Sequence, residues 1–157
     1  TGQVVSTAIT LAGPEQLSIL LGLVERRATE AGGPAWDDAD QARATRAIDP
    51  LLSGGELGAA WLIGPTRAPL GYAILTFGWS LNLGGREAWV EDLYIRPSVR
   101  RRGIGTEVLH AIAVSLRKAD VKALQARIPA QDGVQTGFLS GAGFSIDHRL
   151  ALMTDHL

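Results

Sequence analysis

Between Trp89 and Thr106 the chain carries Glu91 and Asp92 side by side in an apolar run, then Pro97, Arg100-Arg101-Arg102 and Gly103-Ile104-Gly105. An apolar-periodic segment from Thr106 to Leu116 follows. Strand, basic glycine loop and helix in this order suit an anion. Glycines without a Cβ let the backbone turn its N–H groups toward a bulky ligand, and the helix that follows begins with unpaired donors and a partial positive charge. Phosphate oxygens are the natural guests, and guanidinium groups pair with them in a directional, bidentate way.

Spacing excludes two common phosphate loops. A dinucleotide fingerprint requires a third glycine where Val108 stands, and a Walker loop requires Gly-Lys-Ser/Thr where the chain reads Gly105-Thr106-Glu107. What remains resembles the acyl-CoA loop of the GCN5-related N-acetyltransferases, Gln/Arg-x-x-Gly-x-Gly/Ala, which residues 100–105 satisfy at every position. The preceding Glu91-Asp92-Leu93-Tyr94-Ile95 resembles the strand that such enzymes place beside pantetheine, most of all the diamine and polyamine acetyltransferases. The resemblance is specific over residues 70–106 and weaker to 150.

The resemblance implies acetyl-CoA as co-substrate. Backbone groups around Leu93, Tyr94 and Ile95 would pair with pantetheine. The segment Arg100, Arg101, Arg102, Gly103, Ile104, Gly105 and Thr106 would hold the pyrophosphate. Glu91 is the expected general base, acting directly or through water, with Asp92 in reserve. An alkylamine of pKa near 10.4 is mostly protonated at neutral pH, and freeing its lone pair costs about 4.6 kcal/mol. The CoA thiol, nearer pKa ~8.5, leaves without much help. A base therefore matters more than an acid. Many relatives carry a tyrosine acid in a Phe-Tyr-x-x-x-Gly-Phe motif, but here Phe138-Leu139-Ser140-Gly141-Ala142-Gly143-Phe144 puts Leu139 at that place. Leucine donates no proton.

The elements that must position these residues follow from periodicity. Strands are expected over 4–11, 57–63, 70–79, 86–95, 122–128 and 144–153; helices from Leu17 to an end near Gly32-Gly33-Pro34, over 38–48 with Asp38 as N-cap, 104–116 and 133–140. The resulting order, β-α-α-β-β-β-α-β-α-β, agrees with the mixed α/β (α+β) sheet of the GNAT-like acyl-CoA N-acyltransferase fold, in one domain spanning 1–157. Strict alternation would put Trp89, Glu91, Leu93 and Ile95 on one face and Val90, Asp92 and Tyr94 on the other, unless a bulge intervenes. The resemblance further implies that Trp36, Asp37 and Trp79 border the acceptor pocket, where a carboxylate would hold a cationic amine; capping is the competing role for the acids of the loop at 36–40.

Composition narrows the rest. The 157 residues are 46% hydrophobic and 20% charged with a net charge of −1, which argues against a nucleic-acid surface. There is no cysteine, and His110, His148 and His156 are scattered, so no metal site or covalent thioester is expected. The longest apolar run, 17–24, is too short to span a membrane, and the chain reads as cytoplasmic. Three functions compete: acetyl transfer to a small primary amine, acyl-CoA binding with little catalysis, and acetylation of a protein or peptide. Relatives often dimerise, and a homodimer is an expectation of the resemblance alone.

Overall fold

A computed structural model describes residues 7–157. They divide into a unit ending at Arg127 and a second unit, Ile128–Leu157. The first contains β1 (Ile9–Leu11), α1 (Leu17–Glu30), α2 (Asp38–Ile48), β2 (Gly58–Ile63), β3 (Gly71–Ser80), β4 (Gly85–Ile95), α3 (Ile104–Lys118) and β5 (Ala123–Ala126). The strands form one sheet in the order β1-β2-β3-β4-β5. The first three neighbour pairs are antiparallel, and β4 and β5, which are joined through α3, run parallel.

Both faces of the central sheet are covered, which explains why Gly58–Ile63 and Gly71–Phe77 read as nearly continuous apolar runs. On one face Leu20, Leu21 and Leu23 of α1, Ile48 of α2 and Leu51 and Leu52 of the turn after it pack on Ala60, Leu62, Tyr72, Ile74 and Tyr94. On the other, Val108, Ile112 and Leu116 of α3 pack on Trp61, Ile63, Ala73, Leu75 and Ala88. Glu107, in the first turn of α3, accepts hydrogen bonds from the Thr7 N–H and hydroxyl, both at 2.9 Å, and so ties the chain ahead of β1 to this helix.

Three expectations need correction. Only Ile9–Leu11 of the strand expected over 4–11 is a strand; Val4 to Ser6 lie outside the described residues. The N-cap of α2 is Asp37, not Asp38: its carboxylate accepts from the Asp40 N–H at 2.8 Å, while Asp40 reaches back to the Asp37 N–H. The second unit contains α4 (Gly133–Gly141), capped by Asp132, but no strand follows it among the described residues. Asp147 accepts from both the backbone and the guanidinium of Arg149, and this local turn breaks the extended run expected over 144–153.

Close strand approach is built into Gly71, which faces Ile95 across the β3–β4 ladder. A Cβ there would collide with the Tyr94 carbonyl oxygen. Gly71→Ala is therefore expected to destabilise the protein by about 1–3 kcal/mol, the usual range for overpacking a core, measured as a lowered urea midpoint with unchanged m-value.

Candidate active site

The geometry of the site turns on one irregularity. Ile74 pairs with Asp92 and Leu75 with Val90, leaving Glu91 as an extra residue in β4. The bulge resets the alternation. Ala88 and Val90 before it, and Leu93 and Ile95 after it, all face α3. Asp92 and Tyr94 face α1, where Tyr72 and Glu30 bond to them. Glu91 joins that side, since its carboxylate accepts from the hydroxyl of Thr76, a residue flanked by the α3-facing Leu75 and Phe77. Trp89, the ladder partner of Thr76, lies there too. The expected segregation of Glu91 from Asp92 is thus overturned: both carboxylates are on one face.

They nonetheless have different surroundings. Asp92 is largely buried; it accepts from the Tyr72 hydroxyl at 2.6 Å, and Arg27 Nε lies 3.0 Å from its other oxygen but out of hydrogen-bond alignment. Burial raises its pKa in spite of both partners. Glu91 is exposed; it accepts from Thr76 Oγ1 at 2.6 Å and meets Arg127 Nη1 at 3.4 Å. The Arg127 guanidinium also sits 4.0 Å from the centre of the Trp89 ring. Trp89 donates its indole N–H to Glu87 at 3.2 Å, and Gln125 donates to the other Glu87 oxygen at 2.8 Å.

Tyr94 is a second internal anchor. Its side chain is buried against α1 and donates to Glu30, which lowers the Glu30 pKa, while burial raises that of the tyrosine. Only its backbone is available to a cofactor. Arg100 donates from Nε to the Ile95 carbonyl at 2.7 Å and from Nη2 to Glu30 at 2.8 Å, with its guanidinium beside the Tyr94 ring. This side chain, expected on a phosphate, is bonded to two groups of the protein and stays half-exposed.

The loop itself is strongly shaped. Arg101 and Gly103 both adopt left-handed backbone, φ 64° and 75°, and Gly103 is the N-cap of α3. The N–H groups of residues 101–106 have no hydrogen-bond partner among the described residues. Successive free N–H groups around left-handed residues form an anion-binding concavity. Arg101 and Arg102 are exposed, whereas the Ile104 side chain packs into the α3 core.

Between the bulge and this loop β4 has an open edge. β5 pairs with β4 only from Glu87 to Val90, so residues 91–95 continue without it. Arg96 donates to Leu70 of the β3 side, and groups one residue removed point the other way, so Leu93 turns its N–H and carbonyl, and Ile95 its N–H, to the open edge, the Ile95 carbonyl being taken by Arg100.

Of the acceptor candidates, Asp37 is occupied in capping α2, Trp36 is half-buried beside it, and Trp79, at the end of β3, is 70% exposed. His110 is on the surface. Sequence reasoning missed Thr76, Glu87, Arg127 and Glu30. A polar Thr76 within an otherwise apolar strand was a usable signal; nothing in spacing pointed to Arg127 or Glu30.

With this geometry established, comparison with known proteins identifies the class. Residues 23–144 match the acetyltransferase (GNAT) family, and the chain belongs to it. It is an N-acetyltransferase by fold and family. An integron cassette protein from the mobile metagenome of Cole Harbour Salt Marsh is 29% identical, with a TM-score of 0.79 over 94% of this chain and 89% of that one. A predicted acetyltransferase of Clostridium acetobutylicum, solved with acetyl-CoA, shares 17% identity and a TM-score of 0.75, over 94% and 96% of the two chains. An aminoglycoside acetyltransferase from an uncultured soil metagenomic sample, solved with sisomicin, shares 12% identity and a TM-score of 0.78, over 97% of each. No curated protein matches the sequence.

The raised pKa of Asp92 gives a signed expectation. An acid whose folded pKa lies above its unfolded value binds its proton more tightly when folded, so it withdraws stability as pH rises through that window. Starting at the ordinary carboxylate pKa of 3.8, wild type should lose stability relative to Asp92→Asn as pH rises. Urea midpoints of the two proteins across pH 4 to 8, taken as a difference, check this; parallel profiles would refute it.

Proposed function

We propose that the protein transfers the acetyl group of acetyl-CoA to a primary amine of a small molecule, by direct attack in a ternary complex. The observation that carries this reading is the bulge at Glu91, which sets an accessible carboxylate beside the open β4 edge, next to where β4 and β5 part. Acetyl-CoA would lie along that edge, its amides on the backbone of Leu93 and Ile95 and its pyrophosphate on the N–H groups of Arg101 to Thr106.

Glu91 would take the proton of the incoming ammonium, directly or through one water. The freed nitrogen attacks the thioester carbonyl; the C–N bond forms, the C–S bond breaks, and the thiolate leaves. The nitrogen's second proton ends on that thiolate or in solvent. No tyrosine acid takes part: Tyr94 is committed to Glu30, and Leu139 stands where relatives have one. Asp92, buried and clamped by Tyr72, would hold the bulge instead of acting as base. Trp36 and Trp79 would border the acceptor, and the resemblance of 91–94 to diamine-type enzymes favours an aliphatic diamine.

Leu139 also motivates a second reading, a protein that binds acyl-CoA and turns it over slowly. Free-thiol release with a panel of diamines, aminoglycosides, amino acids and peptides separates the two; tight acetyl-CoA binding without turnover across the panel would favour the second.

Glu91→Gln is expected to lower kcat about a hundredfold or more with acetyl-CoA affinity nearly unchanged; a wild-type rate would remove the assignment. Gly103→Val, which forces a β-branched residue into left-handed backbone at roughly 1–2 kcal/mol, should weaken acetyl-CoA binding about tenfold in calorimetry.

A further inference from the structure

We infer that the indole face of Trp89 and the carboxylate of Glu91 form a cation subsite for the acceptor, and that Arg127 fills it when no acceptor is bound. The inference rests on the amine-acetylation reading and specifies how that amine is held. In the structure a cation already occupies the position: the Arg127 guanidinium carbon is 4.0 Å from the Trp89 ring centre, and its Nη1 is 3.4 Å from Glu91 Oε1. Trp is the best aromatic face for a cation, and a carboxylate at its rim adds charge to the same place.

The platform is built without Arg127. Glu87 holds the indole through its N–H and is itself held by Gln125; Thr76 holds Glu91. Each wall of the subsite therefore keeps its position when the arginine leaves. Arg127 by contrast is held loosely. Its side chain is 49% exposed, and its one hydrogen bond to Glu91 is long. An exposed pair of this kind is easily exchanged for a competing cation. An alkylammonium is smaller than a guanidinium and, seated over Trp89 against Glu91, would present its proton to the proposed base. Arg127 follows the last residue of β5, where the strands part, so its departure would uncover the subsite beside the open edge.

The test monitors the Trp89 indole N–H resonance of 15N-labelled protein, without acetyl-CoA, during titration with 1,4-diaminobutane, methylguanidinium and, as a neutral control, n-butanol. The two cations should move this resonance and butanol should not. Arg127→Ala should bind both cations about fivefold more tightly, the scale of one exposed pair. Trp89→Leu, followed through other resonances, should bind them at least tenfold more weakly. Unchanged or weaker binding in Arg127→Ala would overturn the proposal, as would wild-type affinity in Trp89→Leu. Thiol release on diamines with no cation-induced shift would sink the subsite and leave the enzyme reading standing. A shift without thiol release on any amine would do the reverse.

Discussion

One residue too many in β4 governs the geometry of the site. If β3 and β4 paired without interruption, Glu91 would face α3 with Leu93 and Ile95, and a carboxylate would be pressed into an apolar core at a cost of several kcal/mol. The extra residue removes that conflict by placing Glu91 and Asp92 successively on the α1 side while returning Leu93 and Ile95 to the α3 core. At the same place strand β4 changes at its other edge. Up to Val90 it shares its edge with β5; beyond that the edge is free. The return of Leu93 and Ile95 to the α3 core and the end of the β4–β5 pairing thus fall at the same point of the strand.

The bulge needs support, because a two-residue irregularity facing a helix could slip in register. Two polar rungs from one turn of α1 supply it. Arg27 reaches Asp92, itself bonded to Tyr72, and Glu30 receives the Tyr94 hydroxyl. The rings of Tyr72 and Tyr94 lie 5.7 Å apart between the rungs. Net stability is a poor explanation for the first rung, since burial of Asp92 opposes its ionisation. Register is the better one: a slip by one residue would leave a buried carboxylate without the tyrosine hydroxyl it now accepts. The second rung continues through Glu30 to Arg100, so β4 and the start of the glycine loop are tied to α1 through one side chain.

Much of this was legible from the sequence, and the limits are physical. The strand, glycine loop and helix from Trp89 to Leu116 are fixed by local chemistry, which one segment can declare. The bulge is a relation between two strands, and only the pairing of Ile74 and Leu75 reveals it. Asp37 and Asp38 are equally good caps by type; Asp40, three residues beyond Asp37, decides between them. The strand expected over 144–153 had suitable residues, but apolar content gives no hydrogen-bonding edge, and Asp147 with Arg149 offers the backbone a local turn instead. Arg127 was invisible because its partners, Trp89 and Glu91, are brought to it by the parallel pairing of β4 with β5.

The two ends of the proposed site therefore present different kinds of group. At the end proposed for acetyl-CoA the groups on offer are backbone: the N–H groups of residues 101–106 and the edge at Leu93 and the Ile95 N–H. Even the first arginine of the loop is spent internally, on Ile95 and Glu30, where it fixes the shape of the turn. A backbone site tolerates side-chain change as long as φ angles such as those of Arg101 and Gly103 remain accessible. At the end proposed for the acceptor the groups are side chains, Thr76, Glu87, Trp89, Glu91, Gln125 and Arg127, bonded to one another through their polar ends. A fold divided in this way can keep one donor while its acceptor changes, which is why family membership identifies the transferred group more readily than the amine that receives it.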